Sequence, residues 1–309
     1  MDIRALAQQA RAASIELAAA STALKNRALE QIALALDADR ERVFEANAAD
    51  LRESERMGLA SPLMKRLRFD EIKLSDVTGG IRSLVALPDP AGRTLSATGM
   101  DEGLELFRVS CPIGVIGVIF ESRPDALVQI STLCLKSGNA LLLKGGREAA
   151  HTNRALFDII RAASEDAGVP KGWIQLLETR DEVAEMLALD DLIDLVIPRG
   201  SNEFVRYIMD HSNIPVMGHA DGICHVYVDS DADVDMAVSL TVDSKCQYVA
   251  VCNAAETLLV HEEIAPVFLP KVKDALDKRH VEIRGCEATA RIIDVKPAAE
   301  EDWKTEYLD

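Results

Sequence analysis

The sequence lacks any segment typical of membrane insertion or export. No apolar run reaches the roughly 18 residues that a membrane-spanning helix requires. Residues 1–4 do not begin the basic-then-apolar pattern of a secretory signal. We therefore expect a cytoplasmic protein with no membrane partner.

The sequence also lacks a CxxC pair, although it contains six cysteines. The spacing matches no structural zinc pattern, and the pairs Cys224–His225 and Cys246–Cys252 do not change that. In a cytosolic chain this favours reduced thiols over disulfides. We predict no metal site. The six are Cys111, Cys134, Cys224, Cys246, Cys252 and Cys286.

Positive charge is scarce. Lys and Arg total 34 against 51 Asp and Glu, which gives a net charge of −17. This balance argues against a nucleic-acid partner, because such binding depends on neutralising phosphates. It also means that any anionic substrate must be held by local cations, since the overall field repels it.

The pattern of apolar residues predicts an α/β fold in two domains. A length of 309 residues with 48% hydrophobic content is typical of a globular chain with more than one core. Residues 1 to 75 are Ala-rich and helical in period, with Gly58 as a stop signal. Residues 104–109 alternate like a half-exposed strand.

From residue 113 to residue 210, short apolar runs alternate with helical segments. This predicts βαβ units around a doubly wound parallel sheet that is buried on both faces. A smaller α/β unit follows from residue 236, with a strand at 255–260 and another at 280–284. We therefore predict a dinucleotide-type domain over 1–235 and a smaller, incomplete domain over 236–309.

Three predicted strands end in basic, glycine-containing or polar loops. Ligands of open α/β sheets bind beyond the carboxyl ends of the strands. Glycine lets the backbone approach a ligand closely, and a helix N-terminus favours phosphate. Each loop alone could be a solvated turn, and no GxGxxG is present, but three such ends in one sheet favour a binding site. The loops are FESRP (120–124), KGGR (144–147) and PRGSN (198–202).

Cys252 lies in a polar loop directly before the apolar run 255–260. A thiol at the mouth of a strand can be a nucleophile held on a rigid scaffold. A free cysteine is otherwise most often a small buried hydrophobe. The residues alone leave both interpretations open. They also leave open whether His219 is a structural turn residue or lines the same binding site at the strand ends.

Five segments, in one order between residues 111 and 262, resemble the aldehyde dehydrogenase superfamily, and within it the γ-glutamyl phosphate reductases (glutamate-5-semialdehyde dehydrogenases) of proline biosynthesis. The resemblance implies the fold of that superfamily, with an NADP-binding domain over 1–235 and a partial catalytic domain over 236–309. The segments are CPIGVIGVIFESRPDA (111–126), LKSGNALLLKGGREAAHTN (135–153), DLIDLVIPRGSNEFV (191–205), GHADGICHVYVD (218–229) and VCNAAETLLVHE (251–262).

The resemblance implies an enzyme whose nucleophile is Cys252. The thiolate attacks the acyl phosphate of L-glutamyl 5-phosphate, phosphate leaves, and hydride from NADPH reduces the enzyme thioester to L-glutamate 5-semialdehyde. A thiolate is a good nucleophile, and a thioester accepts hydride more readily than a carboxylate does.

The resemblance also implies a set of cofactor-binding residues. Lys144 is similar to the family's lysine that holds the adenosine ribose, and Glu306 to the glutamate that binds the nicotinamide ribose. Arg147 stands where NAD-preferring relatives often carry Glu, and a cation there suits the 2′-phosphate of NADP. The whole set is Ser122, Arg123, Pro124, Lys144, Gly145, Arg147, Gly200, Ser201 and Glu306.

Two departures from the oxidising aldehyde dehydrogenases concern the chemistry. Those enzymes carry a Glu that activates water where this chain has MGH (217–219). A reductase that exchanges its acyl group with phosphate needs no such base. Ser122 stands roughly where they carry an oxyanion-stabilising Asn, so the N–H of Cys252, with Ser122 or Asn253, would supply that contact. Asn253, Lys245 and Gln247 are the weaker candidates for contacts with substrate or oxyanion.

The resemblance implies two partners besides the substrate: further copies of the full-length chain in a homo-oligomer, and a glutamate 5-kinase that passes on the labile acyl phosphate. The family continues beyond Asp309 with a Gly-rich segment and a C-terminal strand used in oligomerisation, so we expect this chain to lack part of the catalytic domain. Two alternatives stay open: another semialdehyde or acyl-CoA dehydrogenase of the superfamily, and a non-catalytic cofactor-binding fragment.

Overall fold

The structure is a computed structural model that describes residues 2–200, 202–218, 222–249, 251 and 253–307. The chain divides into two compact units, Met1–His219 and Ala220–Asp309. The predicted boundary lies later, between residues 235 and 236. The second unit begins earlier because the strand Cys224–Val228 pairs in parallel with the strand Ala255–Val260.

The first unit consists of N-terminal helices, a hairpin and an alternating α/β region. The helices are α1 (Ile3–Ala18), α2 (Thr22–Ala38), α3 (Arg40–Arg56), α4 (Ser61–Leu67), α5 (Glu71–Ala86), α6 (Pro124–Ser137), α7 (Ala150–Asp166), α8 (Arg180–Leu187) and α9 (Asn202–Asp210). The strands are β1 (Thr94–Asp101), β2 (Leu104–Val109), β3 (Val115–Ile119), β4 (Ala140–Lys144), β5 (Ile174–Leu177) and β6 (Leu195–Pro198).

The N-terminal region is helical, as its period predicts. Side-chain oxygens of Asp2, Ser21 and Asp70 accept backbone N–H bonds at the starts of α1, α2 and α5, which satisfies donors that a helix end leaves open. Gly58 follows the end of α3 with a φ of +71°. The predicted stop at this glycine is confirmed.

The four-stranded sheet of the first unit is parallel, in the order β5-β4-β3-β6. Successive side chains of a strand point to opposite faces. In β3, Ile116 and Val118 pack with residues of α2, α5, α6 and α7. Val115 and Ile119 pack instead with residues of α1 and α8. Helices therefore cover both faces, and the predicted doubly wound sheet is confirmed.

The strand predicted at 104–109 is present, but it is not half-buried. β2 pairs antiparallel with β1, and every residue of both strands is exposed. The alternation of residues 104–109 reflects apolar side chains that no layer covers within the described part of the chain.

The second unit contains β7 (Cys224–Val228), α10 (Val234–Cys246), β8 (Ala255–Val260), α11 (Ala265–Asp277), β9 (Arg284–Gly285), α12 (Glu287–Ala290) and β10 (Lys296–Pro297). Its core surrounds Phe268 and Val272 of α11 and Val228 of β7. The predicted strand 255–260 is confirmed. The one predicted at 280–284 is reduced to the two residues of β9, because Val281 and Ile283 pack on this core from irregular backbone. Within the described residues, no helix is both long and apolar enough to cross a membrane.

Candidate active site

Three predicted binding loops lie at one edge of the parallel sheet. β4, β3 and β6 are neighbours, and parallel pairing places their carboxyl ends on the same side. The loops are tied together where they leave the strands: the N–H of Phe120 donates to the carbonyl of Lys144 at 2.9 Å, and the N–H of Arg199 donates to the carbonyl of Ile119 at 2.7 Å. The sheet therefore brings together the residues that the sequence analysis placed at strand ends.

The two glycines after β4 are closely approached by side chains from residues further along the chain. A Cβ at Gly145 would lie 2.1 Å from the amide nitrogen of Asn153 in α7. A Cβ at Gly146 would lie 2.0 Å from a carboxylate oxygen of Glu148. A larger residue at either position would displace the side chain of Asn153 or of Glu148, so these glycines allow both side chains to pack against the loop.

Lys144 is the last residue of β4, and its ammonium group contacts the loop that follows. The residue is only 8% exposed. Its Nζ donates to the carbonyl of Gly145 at 2.5 Å. A buried ammonium at a strand end is a fixed donor, as the predicted contact to a ribose requires.

Arg147 and Arg199 are exposed cations at this edge of the sheet. Over the described ranges, neither side chain makes an ion pair or a hydrogen bond. Other arginines of the unit do have partners; Arg154, for example, pairs with Glu178 at 2.5 Å. In a chain with a net charge of −17, two unpaired guanidinium groups at one sheet edge are suited to an anion, which arginine binds in bidentate fashion.

Arg123 and Pro124 start α6, and Arg123 already has a partner. Pro124 is buried at the first helical position, where its missing N–H costs nothing. The carboxylate of Asp125, whose side chain is 5% exposed, lies 3.1 Å from Arg123 Nη2 and 3.2 Å from Lys73 Nζ. Two cations neutralise this buried carboxylate. Arg123, which was predicted to bind the cofactor, therefore has a structural role in this ion pair.

Ser122 connects the loop after β3 to the loop after β4. Its backbone N–H and its hydroxyl both donate to Glu148 Oε1, at 2.5 and 2.8 Å. The residue is buried, and its φ is +47°. In this arrangement the hydroxyl proton points to Glu148, so Ser122 Oγ does not offer it to an oxyanion.

The third loop contains Gly200, which lies close to Phe204 of α9. A Cβ at Gly200 would be 3.0 Å from a ring carbon of Phe204 and 3.8 Å from the carboxylate carbon of Glu121. The loops after β3 and β6 are therefore neighbours at Gly200. Ser201 lies outside the described residues.

In the second unit, Lys245 and the segment of Glu306 lie together. Lys245 Nζ is 3.1 Å from Glu256 Oε2 of β8, and the side chain of Glu256 is 3% exposed. The same ammonium donates to the carbonyl of Tyr307 at 3.4 Å. Lys245 thus joins α10 to β8 and to the chain beside Glu306, which is a structural task at a position predicted for substrate contact.

Gln247 and Asn253 lie in different surroundings. Gln247 lines a depression of about 350 Å³ between α10 and α11, together with Val238, Asp243 and Arg279. Asn253 is exposed, and the N–H of Ala254 beside it donates to the carbonyl of Val251 at 3.1 Å. Cys252 and His219 lie outside the described residues.

The five described cysteines are free thiols, and two of them differ sharply in acidity. Burial raises the pKa of Cys134 to about 12, so that thiol stays protonated. At exposed Cys286, hydrogen bonds to Thr289 lower the pKa of the thiol. Cys286 is therefore the thiol against which the reactivity of Cys252 has to be compared.

The segment before Glu306 is held by a network that sequence reasoning did not find. Arg284 Nη1 donates to Asp302 Oδ1 at 2.6 Å, and the Tyr307 hydroxyl donates to the same oxygen. Asp302 Oδ2 accepts the N–H of Ala299 at 2.7 Å. The Tyr307 hydroxyl, followed by Ala299 and Arg284, lowers the pKa of Asp302 to about 2.

A model of the aldehyde dehydrogenase family matches residues 1–291. The chain belongs to the aldehyde dehydrogenase family. Two γ-glutamyl phosphate reductases are similar to it at 64% identity over 309 residues: that of Pelotomaculum thermopropionicum, with 100% of this chain and 71% of that protein covered, and that of Acetivibrio thermocellus, with 100% and 72% covered. The crystal structure of γ-glutamyl phosphate reductase from Thermotoga maritima is similar with 39% identity and a TM-score of 0.93, covering 100% of this chain and 75% of that one.

The resemblance stated from the motifs is thereby confirmed, and so is the prediction of an oxidoreductase with this fold. Membership of the aldehyde dehydrogenase family implies a nicotinamide cofactor. The residues at the sheet edge fit such a group, because Arg147 and Arg199 are exposed cations without a partner among the described residues, and they suit the phosphates of a nicotinamide dinucleotide.

Two residues of this edge escaped the sequence analysis, namely Glu148 and Asn153. Both stand in the segment LKSGNALLLKGGREAAHTN (135–153). Asn153 is buried, and its side-chain oxygen has no hydrogen-bond partner in the described structure. The available signal was the position of Glu148 directly after the predicted cofactor residue Arg147.

Proposed function

We propose that the protein reduces L-glutamyl 5-phosphate to L-glutamate 5-semialdehyde and phosphate, with NADPH as the reductant and a thioester at Cys252 as the intermediate. The observation that carries the proposal is the 64% identity, over the whole chain, with proteins named γ-glutamyl phosphate reductase. The sheet edge described above supports it, because its glycines and cations suit a phosphorylated cofactor.

In the proposed reaction the Cys252 thiolate attacks the carbonyl carbon of the acyl phosphate. A carbon–sulfur bond forms, the carbon–oxygen bond to phosphate breaks, and phosphate leaves with the electron pair. NADPH, when bound, supplies a hydride to the thioester carbonyl. The resulting hemithioacetal alkoxide then collapses: the carbonyl re-forms, the carbon–sulfur bond breaks, and the Cys252 thiolate leaves with its electron pair to release the aldehyde.

The proposal requires that phosphate, rather than water, exchanges with the acyl group. The chain has MGH at 217–219, where the oxidising relatives carry the Glu that activates water. Without that base, the thioester resists hydrolysis long enough to be reduced. The acyl phosphate is thus converted to aldehyde instead of being lost as free acid.

The choice of NADP over NAD rests on Arg147. It is an exposed guanidinium without a partner in the described part of the chain, and it directly follows the glycine pair Gly145–Gly146 at the end of β4. A 2′-phosphate offers two oxygens to such a fork, which the bare 2′-hydroxyl of NAD does not.

The test is reduction of NADP⁺ by glutamate semialdehyde with and without inorganic phosphate, followed by NADPH absorbance. We expect a rate that depends on phosphate, is lost in Cys252→Ala, and is kept in the control Cys286→Ala, which removes the exposed thiol whose pKa is lowered. A rate that survives Cys252→Ala, or needs no phosphate, contradicts the proposal. A rate that appears only with coenzyme A favours an acyl-CoA dehydrogenase, and cofactor binding without turnover favours a non-catalytic fragment.

A further inference from the structure

The backbone of Ser122 is held in a conformation that serine does not adopt by itself. Its φ of +47° is in the left-handed region, which costs a non-glycine residue free energy that other interactions must offset. Ser122 is buried at the end of β3, directly before Arg123 and the first turn of α6. Something in the structure must therefore stabilise this turn.

The stabilising group is the carboxylate of Glu148. Its Oε1 accepts both the backbone N–H of Ser122, at 2.5 Å, and the Ser122 hydroxyl, at 2.8 Å. Hydrogen bonds to an ionised acceptor are about twice as strong as neutral ones. Because Glu148 belongs to the loop after β4, this one oxygen connects the loops of two neighbouring strands.

The same carboxylate also fixes the loop from which it comes. Its oxygens lie so close to the Cα of Gly146 that a Cβ there would be 2.0 and 2.6 Å from them. The side chain of Glu148 thus folds back over Gly146 toward Ser122. Arg147 lies between Gly146 and Glu148 in the sequence and begins the 3₁₀ turn Arg147–Ala149. Its side chain is exposed.

We propose that Glu148 is a positioning residue: by binding Ser122 and packing against Gly146, it holds the 144–149 loop so that Arg147 can reach the 2′-phosphate of NADP. This inference rests on the proposed function, and specifically on the role proposed for Arg147. Glu148 acts through the loop rather than by touching the cofactor.

The charge of Glu148 does not oppose this role. A carboxylate near a phosphate site would repel the ligand if it faced the site without partners. Here the N–H and the hydroxyl of Ser122 both donate to it, so the carboxylate is stabilised by two hydrogen bonds within the protein. The exposed group that the turn presents is the guanidinium of Arg147.

The test compares the dissociation constants of NADPH and NADH by nucleotide fluorescence, a readout that does not require turnover. In Glu148→Ala we expect NADPH binding to weaken about tenfold while NADH binding changes little, since a hydrogen-bonded charge is worth roughly this much. Glu148→Gln keeps an oxygen acceptor and should recover part of the loss. Ser122→Ala keeps the N–H donor and should lose less than Glu148→Ala.

Two further variants serve as the positive and the negative control. Arg147→Ala should lower the preference for NADPH over NADH at least as much as Glu148→Ala. Asp166→Asn, an exposed carboxylate at the far end of α7, should leave both constants unchanged.

A preference that is unchanged in Glu148→Ala while Arg147→Ala lowers it would overturn the inference. So would an equal loss of NADPH and NADH binding in Glu148→Ala, because that is the signature of a general structural role. If Arg147→Ala itself leaves the preference unchanged, the proposed role of Arg147 fails, and the inference fails with it. Failure of the proposed reaction is seen separately, as absent turnover with intact nucleotide binding.

Discussion

Arg147 and Glu148 are neighbours in the chain, but their side chains have opposite surroundings. Arg147 is exposed, whereas Glu148 is turned back onto Ser122. The role proposed for Arg147 could be inferred from its place three residues after Lys144. The role of the second could not, because it depends on a left-handed turn 26 residues earlier in the chain, and such a contact leaves no periodic trace in the sequence.

The thiols show why a cysteine cannot be assigned from its identity alone. Cys134 is the buried hydrophobe that an isolated cysteine most often is, with its pKa raised to about 12 by burial. Cys286 is exposed, and its pKa is lowered by hydrogen bonds to Thr289. The proposed nucleophile is neither of these: Cys252 is proposed because it precedes the strand 255–260 in a segment that resembles the reductases.

Asp302 gives a pH prediction at the scale of one residue. Its pKa is lowered from 3.8 to about 2, first by the Tyr307 hydroxyl and then by Ala299 and Arg284. A lowered pKa in the folded state stabilises the fold above the unfolded value and loses that effect as the pH falls through the folded value. We expect this contribution to be complete above about pH 4 and lost near pH 2.

The measurement is the free energy of unfolding by urea at a series of pH values. Asp302→Asn should be less stable than the parent at pH 7 and should lose less stability on going to pH 2. Asp231→Asn, an exposed carboxylate of the same unit, should follow the parent curve. Parallel curves for Asp302→Asn and the parent would show that this carboxylate does not titrate as described.

At the scale of elements, the ion pair of Lys245 and Glu256 joins α10 to β8. The side chains are 15% and 3% exposed, so removal of one partner leaves the other charge buried. We expect Lys245→Met to lower the stability of the unit by about 3 kcal/mol, and the double variant Lys245→Met/Glu256→Gln to recover part of that loss. Urea unfolding of the three proteins measures this, with Lys271→Met as the exposed control.

A double variant no more stable than Lys245→Met would contradict the account, because it would mean that the loss comes from packing rather than from an unpaired buried carboxylate. Catalytic rates of the same variants show whether Lys245 also serves the reaction. A rate lost in Lys245→Met at a temperature where the protein is fully folded would give this residue a role beyond the ion pair.

The elements that the sequence predicted correctly are those whose surroundings are simple. β3 and β4 are continuous apolar runs because a parallel sheet with helices on both faces buries every residue. The prediction of a strand at 280–284 was wrong. Val281 and Ile283 are apolar because they pack against the core around α11, but their backbone is irregular. Burial alone does not determine the backbone conformation.

At the scale of the molecule, the chain divides at His219 and Ala220, and the assignment of an NADP-binding and a catalytic role to the two units is a proposal. The edge of the sheet was predictable, because parallel strands place their carboxyl ends together and the residues at 120–124, 144–147 and 198–202 follow such ends. The partners of those residues could not be predicted, because the hydrogen bonds of Arg123 to Asp125 and of Ser122 to Glu148 depend on side-chain conformation.

The central claim is a thioester at Cys252 that phosphate, rather than water, removes. The most direct measurement mixes the protein with glutamate semialdehyde and NADP⁺ in the absence of phosphate, and follows NADPH and the intact mass of the protein together. The account predicts one burst of NADPH that matches the amount of acylated protein, none in Cys252→Ala, and sustained turnover once phosphate is added. Sustained turnover without phosphate, or a burst in Cys252→Ala, would contradict it.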